Sequence, residues 1–240
     1  MFRPRVIPTL LLSGSGLVKT IKFKNPRYIG DPINAVKVFN DLKADELILL
    51  DIQGSRKTKE LVSLDIIKQI AEEAYMPFSI GGGISTIQRA KDIIINGAEK
   101  IILNTSAIDN PTFISECANF FGSQSVVVSI DVKKNLFNKY QVFSHCGFKK
   151  TKLDVISWAK KAVKLGAGEI FINSINNDGT IQSTTSVNSD AGFSIVSYTG
   201  NATTGATFGH GLSQRPDFVA IRQRTDGTNS NWLVWHQSLT

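Results

Sequence analysis

PFSIGGGISTIQRAKDIIINGAEKIILNT, residues 77–105, decides the fold. A short apolar strand, Phe78 to Ile80, runs into Gly81, Gly82 and Gly83. Ser85 or Thr86 can cap the helix that follows, and Gly97 can end it. Glu99 to Leu103 read as the next strand, with Asn104 and Thr105 at its exit. Glycines between a strand and a helix let backbone amides approach an anion, and they serve a plain tight turn equally well.

The same alternation extends in both directions. Arg5 to Leu12 is an apolar strand, as in a sheet buried on both faces. Leu17 to Phe23 is a second extended piece, and Lys24 to Gly30 a loop. Asp31 and Pro32 open a helix through Lys43, Asp being a favoured cap and Pro a favoured first residue. Glu46 to Ile52 is a strand, Gln53 to Glu60 a charged loop and Ser63 to Ala74 a helix. Beyond the opening stretch come a helix at Pro111 to Phe121 and a β-branched strand at Ser125 to Ile130, ending at Asp131. A hairpin insertion spans Lys133 to Ser144. A helix follows at Asp154 to Leu165, then a strand at Glu169 to Asn173. Six strand–helix alternations predict a parallel α/β sheet with right-handed crossovers.

GAEKIILN (97–104) and GAGEIFIN (166–173) repeat one pattern: helix end, tight turn, apolar strand, Asn at the exit. Repeated βα units of this size predict a (βα) barrel. Asp51, Gly81, Asn104, Asp131 and Asn173 then share the face where barrel chemistry occurs. In a doubly wound open sheet the same positions would line a crevice.

After Asp178 the pattern stops. No helical period runs through 181–240; short strands at Phe193 to Thr199, Phe218 to Arg222 and Trp232 to Trp235 alternate with Gly/Asn/Thr turns, as in a small β module. Composition breaks at the same place. The net charge is +7, yet all 19 lysines lie at or before Lys164. The scattered basic residues suit anionic small molecules better than nucleic acid. No run of ~18 apolar residues predicts a membrane span. The N-terminal apolar run is short and holds Pro8, so it reads as a strand of a cytoplasmic protein. Cys117 and Cys146 lack metal-ligand spacing and are expected to stay reduced; neither metal nor cofactor is expected.

The pieces RVIPTLL, GDPINAVKVFNDLKADELILLDI, PFSIGGGIST, GAEKIILNTSAIDNP, FGSQSVVVSIDVK and GAGEIFINSINNDGT carry a resemblance. Residues 1–180 resemble the cyclase subunit of imidazole glycerol phosphate synthase. The resemblance implies a (βα)8 barrel, here incomplete after about six βα units. That family takes ammonia from a separate glutaminase subunit to cleave and cyclise a bis-phosphorylated ribonucleotide of histidine biosynthesis. By resemblance, Gly81, Gly82, Gly83, Asn104 and Thr105 bind one phosphate, and Asp178, Gly179 and Thr180 part of a second. Of the family's paired acid/base aspartates, Asp131 is present; Leu11 stands at the other position and can neither give nor take a proton. Arg5, Glu46, Lys100 and Glu169 match the gate through which ammonia enters at the N-terminal face, where the glutaminase forms a heterodimer.

LLLSGSGLVKTIKFKNPRYIGDPINAV resembles a paralogous branch associated with amidation of surface-polysaccharide sugars, and Leu11 suits that branch. Residues 183–240 resemble a module of phage virion or tail proteins, through GHGL, RPDFVAI and NWLVWHQSL. These expectations divide the chain into 1–180 and 183–240 and anticipate little cyclase turnover. They leave two other possibilities, a phage structural or host-binding protein carrying a captured barrel fragment and an inactive fusion.

Overall fold

The computed structural model describes residues 5, 7–54, 61–135, 139–176 and 178 in full, and 184–188, 193–197, 218–221 and 233–236 by backbone. The chain divides into two compact units, Met1–Thr180 and Ile181–Thr240.

The first unit holds β1 (Thr9–Ser13), β2 (Gly16–Ile21), β3 (Lys24–Gly30), α1 (Pro32–Asp41), β4 (Leu47–Asp51), α2 (Leu64–Glu73), β5 (Phe78–Gly81), α3 (Ile87–Ile95) and β6 (Lys100–Leu103). It continues with α4 (Thr105–Asp109), α5 (Thr112–Phe121), β7 (Val126–Lys134), β8 (Tyr140–Ser144), β9 (Lys149–Lys150), α6 (Val155–Lys164) and β10 (Glu169–Ser174). Strands β1, β4, β5, β6, β7 and β10 pair in that order, all parallel. This is an incomplete (βα) barrel of six units. It does not close: among the described residues, β10 pairs only with β7.

The caps follow the sequence. Asp31 accepts from Asn34 N, Ser63 from Asp65 N, Thr86 from Arg89 N and Asp154 from Ser157 N, each satisfying an orphan amide of a first turn. Outward strand positions pack against the helices. Leu12, Leu47, Leu49, Ile80, Ile101, Leu103, Val126, Val128 and Ile130 join Ile67, Ile70, Ile93, Ile114 and Trp158 in one core. Inward positions form a second cluster of Ile48, Ile102 and Val127, with Ile7, Leu50 and Phe171 against it. Two clusters separated by the strands are the consequence of period-2 alternation in a sheet buried on both faces.

Four local expectations are corrected. Lys24 to Gly30 is no loop; β3 pairs antiparallel with β2. The hairpin turns at Lys22 and Phe23, whose φ values of 51° and 62° lie in the left-handed region usually held by Asn or Gly. The first strand starts at Thr9 instead of Arg5, and α4 is a short helix that periodicity did not reveal. In the second unit β11 (Thr184–Asn188) pairs antiparallel with β12 (Phe193–Ser197), and β13 (Phe218–Ile221) with β14 (Leu233–His236). β11, rich in Thr and Ser, was not predicted.

Candidate functional site

At the C-terminal strand ends the structure encloses a cavity of about 390 Å³. Its walls come from every parallel strand but β5 directly, and from the glycine turn after β5. Parallel register sets its polar floor: Asn173 lies opposite Asp131 across the β7–β10 pair, with Ser129 two residues earlier on the same inward face.

Asp131 is buried, 6% exposed. Burial pushes its carboxyl up to about 6, against the side-chain hydrogen bonds of Asn104 and Asn173 that favour the charged form. A carboxyl poised there can hold or release a proton near neutral pH. Asp51 is also buried and raised by burial, but its oxygens are committed. Oδ1 accepts from Gln53 N at 2.8 Å and Oδ2 from Val62 N at 2.9 Å, and these bonds together with the charge of Arg89 oppose the rise. Asp51 therefore shapes the loop after β4.

That loop explains the glycines. Gly82 and Gly83 have φ of 110° and 66°. A Cβ on Gly82 would meet the Asp51 backbone, and one on Gly83 would come within 2.7 Å of the Gly54 carbonyl. Gly82, Gly83, Asn104 and Thr105 all line the cavity, whereas Gly81 sits in β5 between Leu50 and Ile102. Asn104 Oδ1 is buried without a protein partner. Asp178 sits behind the cavity wall: its Oδ2 accepts from Thr20 Oγ1 and from Phe23 N, both at 2.7 Å and both of cavity-lining residues, which ties the β2–β3 turn to the segment after β10. Gly179 and Thr180 fall outside the described residues. Leu11 lines the cavity as an apolar patch beside Leu50 and Ile52.

His145, which sequence reasoning passed over, and Cys146, read there only as a reduced thiol, line the cavity as well. They follow β8 in the hairpin insertion, where no periodic signal marks an inward position.

At the opposite ends of the strands, Arg5, Glu46, Lys100 and Glu169 meet. Lys100 Nζ lies 3.0 Å from Glu46 and 2.8 Å from Glu169, and Arg5 pairs with Glu46 and lies 3.4 Å from Glu169. Burial raises the Glu169 carboxyl, but hydrogen bonds and charges of Lys100 and Arg5 win and hold it below the usual range. The inward apolar cluster of Ile48, Ile102 and Val127 lies on the same strands, and Ile102 also lines the cavity. Among the described residues no group of His, Cys, Asp and Glu could hold a metal ion. Among them, too, no helix is long and apolar enough to cross a membrane.

The family model for histidine biosynthesis proteins matches residues 5–193. The chain belongs to this family. The "Putative imidazole glycerol phosphate synthase subunit HisF" of Leptospira interrogans is 51% identical to this family member over 183 residues, 76% of this chain and 72% of that one. The "Putative imidazole glycerol phosphate synthase subunit hisF2" of Pseudomonas aeruginosa is 48% identical over 179 residues, 75% and 71% of the two chains. The imidazole glycerol phosphate synthase subunit HisF of Pyrococcus furiosus is 43% identical over 182 residues, 76% and 72%. The family match runs past the composition break into β12.

Proposed function

We propose that this chain is a cytoplasmic cyclase-type subunit of an ammonia-using synthase, acting on an anionic substrate. One observation carries the proposal: the axial order of chemistry through the six strands. A charged quartet at the N-terminal strand ends, with Glu46 and Lys100 buried, gives way to apolar inward positions and then to a polar cavity holding Asp131. Ammonia enters at Arg5, Glu46, Lys100 and Glu169 from a glutaminase subunit docked on that face, crosses the apolar interior unprotonated, and reaches the cavity. Gly82, Gly83, Asn104 and Thr105 hold one phosphate, with Gly81 shaping the strand end that leads into the turn, and Asp178, Gly179 and Thr180 contribute to a second. Asp131 moves the proton.

Leu11 supports the paralogous branch associated with sugar amidation, because a leucine in the cavity wall replaces half of an acid/base pair. Loss of one such group typically costs ~100- to 10,000-fold. Residues 183–240 are proposed to form a separate β module.

The test is reconstitution with a glutaminase subunit of a HisF-type synthase. Binding is expected, and Lys100→Glu should weaken glutamine-dependent activity far more than activity with added ammonium salt. Equal losses in both, or no binding, would sink the gate and the partner together.

A further inference from the structure

The cavity has an unusual charge inventory for a site that takes an anion. Its described lining includes three carboxylates, Asp51, Asp109 and Asp131, and no lysine or arginine. The lining residue whose side chain can carry a positive charge is His145. Its placement is fixed from three sides. The backbone amide donates to Thr105 Oγ1 at 3.0 Å, joining it to the strand exit that carries Asn104. Nδ1 lies 3.0 Å from the hydroxyl of fully buried Ser144. Nε2 lies 3.8 Å from Asp109 Oδ2, an ion pair when the ring is protonated but beyond hydrogen-bond length. The backbone there is left-handed, with φ of 53° at His145 and 55° at Cys146. Non-glycine residues in that region are uncommon and cluster at sites of function.

We propose that His145 is the cavity's switchable cation, whose imidazolium contacts an anionic ligand group held beside Asn104 and Thr105. This rests on the anionic substrate proposed above and adds the residue that would set its pH dependence. A charge-assisted hydrogen bond from Nε2 strengthens the anion contact, and deprotonation removes it. Other groups share the field. Asp109 faces the ring from α4, and Asp131 and Asp51 line the cavity from β7 and β4. The β2–β3 turn, whose Phe23 abuts Gly147, carries Lys22 and Lys24 and is tied to Asp178.

Sulfate serves as the probe because its charge stays constant over the range. Calorimetry on the full chain should show binding roughly tenfold tighter at about pH 5.5 than at about pH 8. His145→Asn suits the left-handed backbone and keeps a polar side chain, so it tests charge without forcing the turn. It should flatten most of that rise. In the wild-type protein the imidazole resonance missing from the His145→Asn spectrum should titrate with a higher midpoint when sulfate is present. If sulfate binds but the variant keeps the full pH dependence, or the midpoint does not move, the role of His145 is wrong while the anion site stands. If sulfate does not bind at either pH, both fail.

Discussion

Asp131 shows what a single side chain can report. Its folded-state carboxyl is raised to about 6, above the ordinary 3.8 of an aspartate, because burial penalises the charge. The folded chain therefore binds this proton more tightly than the unfolded chain. The group costs nothing below about pH 4, and its cost grows as pH rises toward 6, reaching about 3 kcal/mol for a two-unit difference. Asp131→Asn removes the titration. Its melting temperature relative to wild type should rise between pH 4 and pH 7, read by calorimetry at matched ionic strength. A flat difference would mean that Asp131 is charged at little cost. The position was legible in the sequence, since an aspartate ending a β-branched strand has to face either the barrel mouth or solvent. His145 was not legible. It belongs to a hairpin insertion, and its neighbours Thr105 and Asp109 lie about forty residues away in the chain.

At the scale of elements, backbone approach and buried charge set the costs. Gly82→Ala would place a methyl group against the Asp51 backbone at a φ of 110°. Backbone cannot yield as a side-chain end does, so a loss of roughly 2–4 kcal/mol is expected, read by urea unfolding. The charged quartet is asymmetric in the same sense. Lys100→Met removes the buried cation between Glu46 and Glu169 and leaves only half-exposed Arg5 beside them, so it should cost about 3–5 kcal/mol. Arg5→Ala removes a half-exposed partner, 51% accessible, and should cost under ~1 kcal/mol. Comparable losses in the two variants would show that the charges do not form one buried network. Six βα units were legible because caps and periodicity agreed at α1, α2, α3 and α6. The β3 strand was not, because Lys22 and Phe23 take turn conformations that their residue types do not advertise.

For the barrel unit as a whole, the consequence of six strands is an edge. Among the described residues β10 has a ladder neighbour on one side only, and a strand side without such a neighbour offers amides and carbonyls for pairing. The outer face beside that edge is apolar as well: Ile172 is 57% exposed on β10, with Ile156 at 66% and Val163 at 55% on α6. Outward residues of β4 to β7 are covered by helices; this corner has no such cover among the described residues. An edge with an adjoining apolar face favours self-association. Ile172→Lys tests this without touching the interior, because residue 172 alternates with the inward-facing Phe171 and Asn173. The variant should keep the wild-type circular dichroism spectrum and remain monomeric by light scattering at concentrations where the wild type associates. Removing one exposed isoleucine costs little folding stability, since its burial contributes little to begin with, and a lysine on an edge strand discourages strand pairing. Unchanged association in the variant would place the sticky surface elsewhere and leave the open edge harmless.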